Sequence, residues 1–256
     1  EEAPHGLMAI GTTTFPTGLG MGATFSTRLM ERVGQTIARE LHRQGAHIAF
    51  GPVLDLARDP RWSRTEETMG EDTYLVGELG AAMVRGMGET EGTVIATLKH
   101  LAAYGMGLGG QNGGSVSMGQ HELLQDYLPP FRRAIEAGAQ GVMTAYGAID
   151  GVPCTCNPWL LREVLRKQWG FQGLVISDLY SINVLHNTLH VAASLEEAAR
   201  MALQAGVDVD LGASAFGELR TKKEYLRIDT SALDEAVRRV LRLKFETGLF
   251  EQPYVD

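Results

Sequence analysis

The chain returns again and again to short apolar runs that lack polar alternation, and several end on an ionisable residue. Gly173-Leu174-Val175-Ile176-Ser177-Asp178-Leu179 is the clearest of them. A strand with one wet face alternates apolar and polar residues. An unbroken run has both faces covered, as in a parallel strand packed between helices. Comparable runs lie at Ile48 to Leu56, Val94 to Leu98, Gly141 to Tyr146 and Val207 to Leu211.

Between the runs, the spacing predicts helices. One starts near Ser26, with Leu29, Val33, Ile37 and Leu41 on one face and Gly45 as its stop. A second spans Thr73 to Met87, with Leu75, Leu79, Met83 and Met87 inward. A third carries Leu124, Leu128, Phe131 and Ile135, and Pro129-Pro130 must kink or restart it. Asn157-Pro158 reads as an N-cap followed by the first residue of a helix reaching Trp169. Ser194 and Glu197 form a capping box for a helix ending at Gly206, and a last helix from Leu233 to Thr247 stops at Gly248.

Strict alternation of strand and helix makes the class α/β with a parallel sheet. The 256 residues suit one (β/α)8 TIM-type barrel, with no linker, repeat or low-complexity stretch dividing 1–256. Five strand-like runs are evident where a closed ring needs eight. The barrel is therefore expected to be incomplete or irregular at its N-terminus, and the chain to be a fragment of a larger protein. The abrupt opening Glu1-Glu2-Ala3-Pro4-His5-Gly6, without leader or first helix, points the same way.

A net charge of −8 argues against nucleic acid or an anionic membrane as partner. Cys154 and Cys156, two apart, point to opposite faces if extended. They read as packing residues rather than as a disulfide or half of a zinc site.

The polar residues collect at strand ends, where (β/α) barrels do their chemistry. Arg61 and Arg64 follow the first run, Lys99 and His100 the second, Tyr146 the third, and Asp178 the fourth. Cations beside a carboxylate favour its ionised form, so Asp178 reads as a nucleophile or, in the plainer alternative, as a cap on the following segment. His100 also fits a satisfied core histidine, Arg64 a structural pair with Glu66, Glu67 or Glu71, and Tyr146 a half-buried aromatic. Lys99 at the end of an apolar strand is compatible with a Schiff-base aldolase.

These motifs, in this order, closely resemble the N-terminal barrel domain of glycoside hydrolase family 3, the β-glucosidase and β-xylosidase type. Gly51 to Arg64 with Glu66 to Asp72 resembles the family's arginine loop, Lys99-His100 its Lys-His pair, and Ser177-Asp178 its nucleophile pair. Ala145-Tyr146, Asp150 to Pro153, Asn157 and Trp169 to Phe171 resemble the segment before the nucleophile strand. The resemblance implies a retaining, exo-acting β-glycosidase using no metal or organic cofactor. Asp178 would form the glycosyl-enzyme, and Glu2, Arg64, Lys99, His100 and Tyr146 would hold a small oligosaccharide or glycoside. A non-catalytic sugar-binding barrel is the alternative.

Two family positions differ. Gly109-Gly110-Gln111-Asn112-Gly113 stands where many members have an Arg, and Gly147 stands for the usual Asn. A retaining glycosidase also needs a second carboxyl about 5–5.5 Å from the first. The resemblance implies that this acid/base comes from a second domain or a partner chain. It also implies secretion or a bacterial periplasm, and it is compatible with a homodimer.

Overall fold

The computed structural model describes residues 1–90, 94–212, 214–219 and 228–254. Its centre is a sheet of four parallel strands, β1 (Ile48–Val53), β2 (Ile95–Leu101), β3 (Gly141–Thr144) and β6 (Leu174–Ile176), paired in that order. Two further segments extend it. Glu2 bridges Phe50 at one edge, and Val209 bridges Ile176 at the other, both parallel. A short antiparallel hairpin, β4 (Ala148–Ile149) with β5 (Val152–Pro153), lies apart from this sheet. The six parallel segments follow one another around the arc of a TIM-type barrel. Among the described residues that arc does not close on itself.

Alternation along the strands separates two cores. Ala49, Ala96, Leu98, Val142 and Val175 belong to the main hydrophobic core, where the surrounding helices pack. The opposite parity, Ile95, Leu174 and Ile176 with the half-buried Ile48, Phe50, Val209 and Leu211, packs with Val240 and Leu243 of the last helix, Thr230–Glu246. Lys99 and Asp178 continue this second series.

Helix Thr27–Arg43 starts where Ser26 accepts the amide of Leu29. Its buried face is Met30, Val33, Ile37 and Leu41; Leu29 is exposed, one position off the expected stripe. This helix lies close against helix Thr73–Gly88. A Cβ on Gly34 would sit 2.2 Å from the Met83 carbonyl, and one on Gly86 would sit 2.0 Å from the Glu31 carbonyl, so each helix supplies a glycine where the other's backbone presses in.

The double proline restarts the chain as helix Pro129–Glu136, after a π-wound turn at Leu123–Tyr127. Leu123, not Leu124, faces inward there. Asn157 caps the π-wound helix Trp159–Gln168 through Leu160 N–H, as its sequence signal implies. In the capping box of helix Leu195–Ala205, Ser194 accepts from Glu197 N–H, while Glu197 reaches back to Ala193 N–H rather than to that of Ser194. Cys154 and Cys156 are buried free thiols in a 3-10 turn.

Asp208, with a side chain 1% exposed, ties the lower end together. It accepts from Arg166 at 2.7 Å, from Arg239 at 2.8 Å and from the amide of Val175 at 2.8 Å. Strand β6, helix Trp159–Gln168 and the last helix thus share one carboxylate. Replacing it would strand two guanidinium groups, so Asp208→Ala should cost about 3–5 kcal/mol of folding stability, measured by urea unfolding.

Candidate active site

At the upper end of the sheet, Leu54 N–H donates to the Lys99 carbonyl at 2.7 Å, which keeps the chain beside β2 for one residue beyond β1. Asp55 therefore comes level with His100. Strand β2 runs through Leu101, so Lys99 and His100 lie inside the strand rather than just past it. The register with β3 shifts between Leu98 and Leu101, and simple alternation fails there. Both side chains are buried. Lys99 forms an ion pair with Glu2, whose backbone lies along β1.

His100 sits among three charged side chains. Its Nδ1 is 2.7 Å from Asp55 Oδ2, and its backbone N–H donates to the same oxygen at 3.2 Å. Its Nε2 faces Arg64 Nη2 at 3.1 Å and Asp178 Oδ2 at 3.5 Å. Arg64 is fixed by the 3-10 turn Thr65–Glu67, which brings Glu67 three residues on into a two-pronged pair at 2.6 and 2.8 Å. The guanidinium also lies over the Tyr104 ring, 5.3 Å from its centroid.

An aromatic wall backs these groups. Trp62 meets Tyr104 edge-on at 5.0 Å, and Tyr104 meets His100 at 4.9 Å and Tyr146 at 6.0 Å. Trp62 donates to Asn112 at 3.0 Å, anchoring the glycine-rich loop. Gly105 lets that loop pass, since a Cβ there would lie 2.7 Å from the Leu56 carbonyl and 3.1 Å from the Trp62 ring.

Asp178, two residues beyond β6, has two differently employed oxygens. Oδ1 accepts from Leu179 N–H at 2.7 Å, while Oδ2 is buried without a hydrogen-bond partner. Tyr146 donates to the Leu179 carbonyl at 2.6 Å and so braces the same turn.

Burial dominates the electrostatics. It pushes the Asp55 carboxyl up to about 7 and, helped by Arg64, pushes the His100 imidazole down to about 3. His100 is uncharged at neutral pH. Burial also opposes charge on Arg64 and Glu67, but their mutual pairing outweighs it, raising the guanidinium and lowering the carboxyl. Burial and then the Asp178 charge raise the Tyr146 phenol. With an acceptor carboxylate at Nδ1 and an Arg donor at Nε2, the imidazole proton belongs on Nδ1.

This arrangement can be set beside known proteins. The model of the glycosyl hydrolase family 3 N-terminal domain matches residues 1–243. The chain belongs to glycosyl hydrolase family 3. It is 38% identical over 249 residues to the periplasmic beta-glucosidase of Salmonella typhimurium, covering 94% of this chain and 32% of that one. It is 36% identical to a beta-xylosidase of Formosa agariphila, covering 98% and 38% of the two chains. Among solved structures, a β-glucosidase from Erythrobacter marinus superposes with a TM-score of 0.96 at 38% identity, over all of this chain and 35% of the other. The β-glucosidase of Listeria innocua in complex with glucose gives 0.93 at 39% identity, covering 99% and 36%. The chain spans about a third of the length of these relatives.

Within this family 3 domain, six residues singled out in the sequence form one connected cluster. His100 contacts both Arg64 and Asp178, Tyr146 braces the Asp178 turn, and Lys99 stands beside His100 in β2. Glu2 joins through Lys99. Arg61 does not join; it is exposed and pairs with Asp59. Arg64 combines two expected roles, since it is both the Glu67 partner and a neighbour of His100. Glu67 was foreseen only as one of three acids that could pair with Arg64, and Asp55 and Tyr104 were not singled out. Only their places within or near the arginine loop and the Lys-His strand could have flagged them.

The paired shifts of Asp55 and His100 have opposite consequences for stability. A histidine whose folded pKa is depressed costs stability as pH falls below 6.5, because the unfolded chain takes a proton the folded one refuses. A carboxyl with a raised folded pKa favours the folded state below about 4 and loses that advantage as pH rises toward 7. Between roughly pH 4 and 6.5 the two slopes cancel. Asp55→Asn removes one of them. The variant should therefore lose about 1 kcal/mol per pH unit relative to wild type below pH 6.5, read from urea midpoints at pH 7, 6 and 5.

Proposed function

We propose that this protein is a retaining, exo-acting β-glycosidase that removes terminal non-reducing sugars, β-glucosides first and β-xylosides second. The observation that carries the reading is Asp178. One of its oxygens is held by the Leu179 amide, and the other is without a hydrogen-bond partner beside His100. The naming of relatives as β-glucosidases and β-xylosidases supports the same reaction class.

In this mechanism a lone pair of Asp178 Oδ2 attacks the anomeric carbon as the bond to the leaving oxygen breaks, and a general acid protonates that oxygen. Water, deprotonated by the same group, then attacks the anomeric carbon and frees Asp178. Glu2, Arg64, Lys99, His100 and Tyr146 offer donors and acceptors around one ring. Hydrogen bonds to its hydroxyls that tighten as positive charge develops would lower the barrier.

The general acid comes from outside this chain, from a second domain or a partner. Among the described residues, the carboxyls of this cluster other than Asp178 support this, because each is engaged: Asp55 with His100, Glu67 with Arg64, and Glu2 with Lys99. The Glu2 pair also occupies the Lys99 ammonium, which weighs against a Schiff-base role. The periplasmic description of the Salmonella relative supports export.

Two measurements test the reading. A 2-deoxy-2-fluoro-β-glucosyl fluoride should add one sugar mass to the peptide containing Asp178; a label on another residue would reject the assignment. With 4-nitrophenyl β-glucoside, Asp178→Asn should lower turnover by roughly three orders of magnitude or more. Turnover retained in that variant would exclude Asp178 as nucleophile.

A further inference from the structure

The Asp55 side chain has no solvent contact. It is 0% exposed, and it meets His100 at Nδ1, whereas Asp178 faces Nε2. Yet two nitrogens of His100 converge on its Oδ2, ring Nδ1 at 2.7 Å and the backbone N–H at 3.2 Å. That is more than packing requires, and it has a consequence on the other side of the ring.

We propose that Asp55 is a positioning residue: by holding the imidazole proton on Nδ1 of His100, it keeps Nε2 an acceptor and leaves Oδ2 of Asp178 unbonded and free to attack. The inference rests on the reading of Asp178 as the nucleophile. Its content is the location of one proton.

The alternative tautomer shows why the location matters. A proton on Nε2 would point into Arg64 Nη2, itself a donor, 3.1 Å away. It would also face Asp178 Oδ2 at 3.5 Å, close enough for a few tenths of an ångström of movement to form a hydrogen bond. That bond would engage the oxygen lone pair and stabilise the carboxylate before attack. With the proton on Nδ1, Nε2 instead accepts from Arg64, and Oδ2 of Asp178 stays without a partner while the Leu179 amide holds Oδ1. A buried carboxylate that fixes a histidine tautomer from behind is a recurrent device in catalysis.

The test separates the proton from the chemistry. In the protein carrying 15N-labelled histidine, NMR should find His100 neutral and protonated at Nδ1. Asp55→Ala leaves an Nδ1 proton without its acceptor and should move it to Nε2, toward Asp178; a proton that stays on Nδ1 there, with Arg64 alone opposing Nε2, would overturn the inference. Trapping by 2-deoxy-2-fluoro-β-glucosyl fluoride needs no general acid: the Oδ2–C1 bond forms while the C–F bond breaks and fluoride leaves with its electron pair. Its rate in Asp55→Ala should fall about tenfold or more, the worth of one hydrogen bond, with the affinity for glucose changing far less.

Asp55→Asn, whose amide oxygen can accept both N–H groups, should keep the proton on Nδ1 and recover most of the rate. A wild-type protein that is labelled on Asp178 but carries the proton on Nε2 would overturn this inference alone. So would unaltered trapping in Asp55→Ala once its proton has shifted. If Asp55→Ala does not fold, the wild-type tautomer and the Asn variant decide, and an Asn variant that holds the Nδ1 proton yet traps tenfold slower sinks the idea. A wild type that is never labelled overturns the nucleophile reading and this one with it.

Discussion

Parallel pairing is the constraint from which the rest follows. When every strand in a sheet points the same way, all of their C-terminal ends emerge on one side, and the residues just beyond them become neighbours whatever their distance in sequence. Asp55, His100 and Asp178 follow or end three different strands, yet they meet within a few ångströms. Helices packed between the strands supply the return path, and glycines at the contact of the first two long helices let them lie close.

Once these groups are gathered, exclusion of water decides their states. Asp55 and His100 have lost nearly all solvent contact, so each is driven toward its uncharged form. Arg64 and Glu67 keep their charges because each is the other's partner. The cluster therefore consists of one neutral ring with the buried Asp55 carboxyl behind it, two matched ion pairs and one carboxylate with a spare oxygen. Charge is distributed by pairing geometry rather than by residue type.

Much of this could be read directly from the order of residues. The apolar runs located the strands, and caps such as Asn157 and Ser194 located helix starts, because both signals are local. Errors appeared where local periodicity meets tertiary packing. Met30 rather than Leu29 faces inward, and Leu123 rather than Leu124, each a one-position slip in a helix stripe. Lys99 and His100 were expected just past a strand that in fact continues to Leu101. The Asp55–His100 bond joins residues 45 positions apart, and no periodicity encodes such a pair. Glu67 was visible as one of several acids near Arg64, but only the 3-10 turn selects it.

The Asp208 junction stands at the opposite end of β6 from Asp178, and this separation bears on how such a domain can change over time. A carboxylate shared by two guanidinium groups and a strand amide anchors the scaffold well below the chemistry. Loops above the sheet can be lengthened, shortened or recoloured without disturbing that anchor. The upper face and foldability are thereby placed under largely independent selection, and a lineage can remodel one while its frame stays intact.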